Sequence, residues 1–345
     1  MRVAFVVYFA LSGRGGIENV TGTVIRALKG RGDATHVLLF GDLKDRSWLS
    51  DLPGELTGVG PGRRIAKLLR GFFRLAQWNP DVVVALDKKA LVWARLFSLL
   101  RFRRIPVASW LHFSLTTMRQ NFILKAADFH LAISSDMARQ IEGVDGRHPI
   151  YLIYNPVPPA RRIVPRPTTA TFVYVGRLMV EGQKRVADFL RALAAVHGDW
   201  QAVVIGDGDE KETLVALARD LGIDSRIRWT GWVSDPWSAL EAASALVLTS
   251  AYEGFGMVLA EAMAHGIPCV SSDCPVGPRD IVRPGVNGWL YPVGEIHQLA
   301  EILQRIVRDP GILPNPEAVQ ESVARFRADR VVDAMREALV TEVRR

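Results

Sequence analysis

The chain has 345 residues, 49% of them hydrophobic and 23% charged, with 43 Lys+Arg against 36 Asp+Glu and a formal charge of +7. That composition lies near the average of globular proteins and excludes a disordered chain, a collagen-like fibre and a small disulfide scaffold. Single cores rarely grow past roughly 250–300 residues, so the length predicts two domains. The first residues run straight into an apolar segment with no signal-peptide pattern. No stretch of about 18 uncharged apolar residues is present to span a bilayer. Cys269 and Cys274 have no second pair beside them, which predicts neither a disulfide framework nor a zinc site and fits a reducing cytoplasm.

Residues 3–9 form a short, nearly continuous apolar run, as in strands buried on both faces of a parallel sheet. A helical pattern follows at 17–29. The turn between them reads Gly13-Arg14-Gly15-Gly16-Ile17-Glu18. Glycines there let the backbone approach a phosphate at a helix N-terminus, although Ile17 and Glu18 break the dinucleotide spacing and a plain tight turn fits equally. Further strands are predicted at 36–40, 82–86, 107–111 and 129–133, most of them separated by helix-length sequence. Pro and Asn punctuate residues 155–167, which reads as a linker. The alternation then restarts with strands at 171–175, 201–205, 227–229, 245–249 and 268–271, and the chain ends in an amphipathic helix over 323–345. Open α/β sheets bind ligands at the carboxyl ends of their strands, so two such domains facing one another predict a ligand cleft.

The charge is uneven. Residues 1–160 hold 22 Lys/Arg against 12 Asp/Glu, and residues 161–345 hold 21 against 24. Arg63, Arg64, Lys67, Arg70 and Arg74 alternate with Ile65, Leu68, Leu69, Phe72, Phe73 and Leu75, and Arg101, Arg103 and Arg104 make a second cluster. A basic helix with an aromatic, apolar face fits an anionic membrane surface. The rival reading is a surface helix whose apolar side enters the core. No DNA- or RNA-binding signature accompanies the charge, so no nucleic-acid partner is expected.

The strongest local motif is Glu253-Gly254-Phe255-Gly256-Met257-Val258-Leu259-Ala260-Glu261, which follows the strand at 245–249 and leads into a helix. If both glutamates lie on that helix they are about two turns apart and face one ligand. Backbone amides at the helix start suit hydroxyls and phosphates. The blander reading is a capped helix with a solvated glutamate.

With these residues the chain resembles the retaining GT-B glycosyltransferases of family four. The match continues through Ala262-Met263-Ala264-His265-Gly266 and Pro284-Gly285-Val286-Asn287-Gly288. It also takes in Val175-Gly176-Arg177-Leu178 with Lys184, Gly206-Asp207-Gly208 and the amino-terminal Gly15-Gly16-Ile17-Glu18. The resemblance implies an α/β chain of the GT-B fold, with two Rossmann-like, doubly wound parallel-sheet domains facing a cleft. It assigns residues 1–160 to acceptor binding and membrane contact and 161–325 to donor binding, with a final helix over 326–345 packing back on the first domain. It implies that Glu261 holds the ribose hydroxyls of a nucleotide-sugar donor, while Glu253 and the backbone of Gly254, Phe255, Gly256 and Met257 meet the sugar. Val258 and Leu259 amides and the loop at Gly15 and Gly16 are then phosphate contacts, and Arg177 and Lys184 neutralise the departing diphosphate without a metal or other cofactor. His112, after the strand at 107–111, matches a histidine near the donor sugar; its rival role is a histidine satisfied in the wall of the cleft. Asp207 and Asp209 have the spacing of a metal-binding pair, but their glycine loop argues against that role. Arg279-Asp280 replaces the Pro-Glu usual in the family and resembles bacterial lipopolysaccharide and exopolysaccharide hexosyltransferases, which points to a UDP-hexose. Trp232 fits equally near the base or in the core.

The expected activity is therefore hexosyl transfer from a nucleotide sugar to a surface-glycan or lipid-linked acceptor, at the inner face of the cytoplasmic membrane. The alternatives are a nucleotide-sugar epimerase of similar fold and a noncatalytic, basic membrane-binding module.

Overall fold

The computed structural model describes residues 1–345 except 12–15, 43–47, 49–55 and 61, together with the side chain of Thr117. The chain divides into two compact units, one of residues 1–158 with 326–345 and one of residues 159–325.

The first unit comprises β1 (Arg2–Val7), α1 (Gly16–Gly30), β2 (Ala34–Leu39), β3 (Leu56–Gly58), α2 (Arg64–Trp78), β4 (Val82–Ala85), α3 (Lys88–Leu99), β5 (Val107–Ser109), β6 (Phe129–Ala132), α4 (Ser135–Glu142) and β7 (Ile150–Leu152). Among the described residues its strands form one parallel sheet in the order β3-β2-β1-β4-β5-β6-β7. The apolar runs that marked the central strands are buried nearly without interruption, because helices cover both faces. β3 and β7 had no such run and were not predicted: they are three-residue edge strands with no buried position.

The second unit comprises β8 (Ala170–Val175), α5 (Val186–Ala194), β9 (Trp200–Ile205), α6 (Lys211–Asp220), β10 (Ile227–Gly231), β11 (Ala245–Leu248), α7 (Met257–Ala264), β12 (Cys269–Ser272), α8 (Pro278–Ile281), β13 (Gly288–Tyr291), α9 (Ile296–Arg308) and α10 (Pro316–Ser322). Its parallel sheet runs β10-β9-β8-β11-β12-β13. Phe172, Tyr174, Phe189, Trp200, Leu214, Val247, Leu299 and Leu303 share its core. Both units are therefore Rossmann-like, with strand order reversing between β1 and β4 and between β8 and β11. Those are the switch points where such sheets bind ligands.

The last helix, α11 (Ala328–Arg344), belongs to the first unit. Val157 donates its N–H to the Phe326 carbonyl as the chain returns. Arg336 then pairs with buried Asp33 at 2.7 Å, Arg31 with Asp333 at 2.6 Å, and the Tyr151 hydroxyl donates to Glu342.

α2 divides its apolar residues between packing and exposure. Gly71 and Leu75 are its buried residues, and a Cβ at Gly71 would lie 2.6 Å from the Phe40 ring, which would have to shift. Ile65, Leu69 and Phe73, spaced four apart, are instead 72%, 53% and 67% exposed. One stripe packs and a second faces outward between exposed arginines, so the reading of a single core-facing apolar side does not hold. Leu96, Leu99, Leu100 and Phe102 are exposed as well.

Candidate functional site

Within the second unit the residues singled out by the sequence collect at the carboxyl ends of β8, β9, β11 and β12. After β8 the chain turns through Gly176 into exposed Arg177, whose carbonyl accepts the buried Tyr174 hydroxyl at 2.9 Å. Beside it Gly206 follows β9 at φ +150°, and a Cβ on Gly206 would fall 1.8 Å from the Gly176 carbonyl oxygen. A Cβ on Gly208 would meet the Leu178 carbonyl at 2.3 Å. The glycines of these two loops thus serve first to let the loops touch one another. Asp207 uses one carboxylate oxygen to accept the Gly208 N–H at 2.9 Å.

Lys184 and Glu253, 69 residues apart in the chain, meet as an ion pair of 2.6 Å with both side chains largely enclosed. The Ser250 hydroxyl donates to the same Glu253 oxygen at 2.6 Å, and the Thr249 hydroxyl donates to the Lys184 carbonyl at 2.8 Å. The loop after β11 is therefore stitched to the loop after β8. Cys274 lies in this environment, and burial, with the Glu253 charge adding to it, pushes its thiol up to about 12, so it is an inert thiol at neutral pH.

Glu253 does not lie on the helix that carries Glu261. α7 begins at Met257, and Gly256 enters it in the left-handed region at φ +86°. The two carboxylates are consequently set by a loop and a helix separately rather than by a shared helical face. Phe255 is buried as a core residue, whereas Gly254 and Val258 are half-buried. Leu259 is fully buried and its N–H donates to the Gly256 carbonyl at 2.9 Å, so this amide is taken up inside the turn.

Glu261 is half-buried, and the desolvation of its carboxyl raises its pKa. A hydrogen bond with the Trp237 side chain opposes that rise and the charge of Asp235 adds to it. Trp237 stacks on His265 at 5.6 Å between ring centroids. Ser250, Trp237 and Asp235 were not singled out by sequence, because each lies outside the recognised motifs and acts through a neighbour.

Trp232 is half-exposed, which removes its core assignment. Arg279 makes a two-pronged ion pair with Asp273, both contacts at 2.7 Å, so the unusual Arg279 holds the turn between β12 and α8.

In the first unit, His112 is buried with its ring edge-on to Trp110 at 4.5 Å. Burial pushes its imidazole down to about 3, so the ring is neutral at physiological pH. Its Nε2 is enclosed and has no hydrogen-bond partner among the described residues, contrary to a histidine satisfied by its wall. Gly16 starts α1 with open space about it, while Gly13, Arg14 and Gly15 lie outside the described residues.

Residues 160–325 match the family of glycosyl transferases group 1, and residues 14–161 match Glycosyltransferase Family 4. The chain is 38% identical over 324 residues to a lipopolysaccharide 1,6-galactosyltransferase of Salmonella typhimurium, covering 89% of this chain and 90% of that protein. It is 35% identical to the lipopolysaccharide 1,6-galactosyltransferase of Escherichia coli over 100% and 99% of the two chains. Among solved structures, the apo form of the lipopolysaccharide outer core galactosyltransferase WaaB matches with a TM-score of 0.88 at 35% identity, over 99% of this chain and 100% of that one. Anabaena Alr3699/HepE in complex with UDP-glucose shares the fold, with a TM-score of 0.80 at 21% identity over 99% and 100%.

Proposed function

This chain belongs to the group 1 and family 4 glycosyltransferases, with two Rossmann-like units of the GT-B type, and from that premise we propose that it transfers galactose from UDP-galactose to a growing lipopolysaccharide core. The observation that carries the reading is the Lys184–Glu253 pair, fixed at the strand ends beside the loop that leads into α7 and Glu261. Two relatives that this chain matches over most of their length, each a 1,6-galactosyltransferase, support galactose as the sugar and the lipopolysaccharide core as the acceptor.

In this reading Glu261 accepts two hydrogen bonds from the ribose diol, which a carboxylate is built to do. Glu253 accepts from the hexose hydroxyls. Arg177 and Lys184 stabilise the negative charge that gathers on the diphosphate as the glycosidic C–O bond breaks. Arg177 and Lys184 supply this stabilisation from the chain itself, so the proposed transfer calls for no metal. The acceptor hydroxyl attacks the anomeric carbon from the leaving-group side and passes its proton to a phosphate oxygen, which retains the configuration.

A thermal-shift and hydrolysis screen against UDP-, GDP- and ADP-sugars tests the donor. UDP-galactose is expected to give the largest shift; about 100 Kd of ligand stabilises by about 2.7 kcal/mol. A larger response to an ADP- or GDP-sugar overturns the donor assignment.

The outward Ile65, Leu69 and Phe73 stripe, set among Arg63, Arg64, Arg70 and Arg74, supports docking of the first unit on anionic lipid. No helix among the described residues is long and apolar enough to cross a membrane. Vesicles containing phosphatidylglycerol are expected to retain the protein at low salt and release it as ionic strength rises, since each basic residue near such a surface contributes about 1 kcal/mol that salt screens. Equal retention by neutral vesicles counts against this docking mode.

A further inference from the structure

A second convergence of ligating side chains lies in the first unit. His130 stands on β6 and is fully buried. Asp145 and His148 occupy the turn between α4 and β7, the strand that pairs with β6 by setting Ile150 opposite His130. His130 Nε2 and His148 Nδ1 approach the same oxygen, Asp145 Oδ2, at 3.0 and 2.7 Å. The other oxygen, Asp145 Oδ1, is enclosed and has no hydrogen-bond partner among the described residues, in a residue only 2% exposed. On the far side of the His130 ring, Nδ1 lies 2.7 Å from Ser109 Oγ on β5.

We infer that His130, Asp145 and His148 hold a divalent transition-metal ion, with Zn²⁺ the best match. Two imidazoles and a carboxylate are an ordinary zinc donor set, and one ligand atom from each residue lies within 4.8 Å of the others. Bonds of about 2.0–2.1 Å place the ligand atoms of a tetrahedral ion roughly 3.3 Å apart, so the two nitrogen–oxygen distances need to open by only a few tenths of an ångström. A purely hydrogen-bonded cluster crowds both rings onto one carboxylate oxygen and leaves the other buried without a partner. Buried polar atoms are rarely left so. An ion resolves this by taking both nitrogens and both oxygens of the carboxylate, so that neither oxygen is left without a partner.

Ser109 completes the arrangement. A hydroxyl that accepts from Nδ1–H fixes the ring and directs the Nε2 lone pair toward Asp145, the outer-shell contact that metal-bound histidines regularly have. His148 is partly exposed and gives an ion its way in. The turn carrying Asp145 and His148 enters the sheet ahead of β7, at the amino end of that strand. The switch point between β1 and β4 opens at the carboxyl ends. The ion therefore clamps the turn between α4 and β7 to β6 and takes no part in the transfer step.

The test uses the full chain, stripped with chelator and titrated with Co²⁺ by visible absorption and with Zn²⁺ by calorimetry. One ion per chain is expected, with the intense bands of tetrahedral Co²⁺ and a rise in Tm on adding Zn²⁺. His148→Ala, with the fold verified by circular dichroism, is expected to weaken Zn²⁺ binding on the order of 100-fold, and Ser109→Ala by about tenfold. His297→Ala, at an exposed histidine elsewhere, is expected to leave both titrations unchanged. Absence of stoichiometric binding, or binding that survives His148→Ala at full strength, overturns the assignment.

Discussion

Replacing Glu261 by glutamine is expected to lower kcat/KM for the nucleotide sugar by about 10²–10³-fold, while the free protein melts no earlier than the parent at neutral pH. The loss follows from the proposed contact. Hydrogen bonds to a charged group contribute about 1.5–3 kcal/mol each, and the ribose diol makes two with a carboxylate that an amide reproduces poorly. Because the ribose is remote from the breaking bond, the effect falls mainly on KM, as for binding energy shared by ground and transition states. The stability half of the prediction follows from the carboxyl itself. Burial holds its folded-state pKa above the ordinary 4.5. The favourable contribution of the protonated form is therefore present below that value and lost as pH rises through the folded pKa, above which a desolvated charge remains. Glutamine carries no such charge, so the Tm at pH 7 should hold or rise. Kinetics with UDP-galactose and melting curves across pH 4–8 check both halves. Unchanged kcat/KM removes Glu261 from the donor site; a sharp drop in Tm means that it supports the fold instead.

The second large effect belongs to Gly277. It sits at φ +102°, and a Cβ there would lie 1.7 Å from the Phe255 carbonyl oxygen, so backbone must move on one side or the other. Strained backbone and overpacking cost about 1–3 kcal/mol each. For a unit of this size each kcal/mol corresponds to about 2–4 °C, so Gly277→Ala is expected to lower the melting transition of the second unit by about 4–24 °C. Phe255 belongs to the loop that carries Glu253 and leads into α7, so weaker donor binding should accompany the lower Tm. Gly285→Ala is the matched control, since Gly285 also has positive φ, +77°, but has open space around its Cβ position. Its expected cost is about 1 kcal/mol, from backbone conformation alone. Equal shifts for the two variants would show that the approach to Phe255 contributes nothing.

These two positions differ in how openly the sequence announced them. Glu261 was legible because its spacing from Glu253 and the glycines between them lie within nine consecutive residues. The role of Gly277 is invisible without the fold, since the carbonyl that excludes a side chain comes from another loop. The same holds for Lys184: its motif marked it as a phosphate contact, but nothing in the sequence says that it is tied to Glu253 and that Ser250 shares the carboxylate. Trp237 reaches Glu261 in the same way, from a segment with no motif of its own.

What the sequence determined by itself was the architecture and the chemistry-bearing motifs. Strands buried on both faces must be continuous apolar runs, and loops whose backbones approach one another closely must be rich in glycine; both are local patterns and survive being read in one dimension. It also showed that α2 is both basic and apolar. Only the tertiary structure decided which apolar residues of α2 turn outward, because burial depends on what packs against a helix and not on the helix alone. It likewise started α7 only after Glu253, left His112 Nε2 without a partner among the described residues, and drew His130 and His148 to one oxygen of Asp145. Each of these is a relation between residues distant in the chain or in different elements, and such relations exist only once the sheets have set their strands side by side.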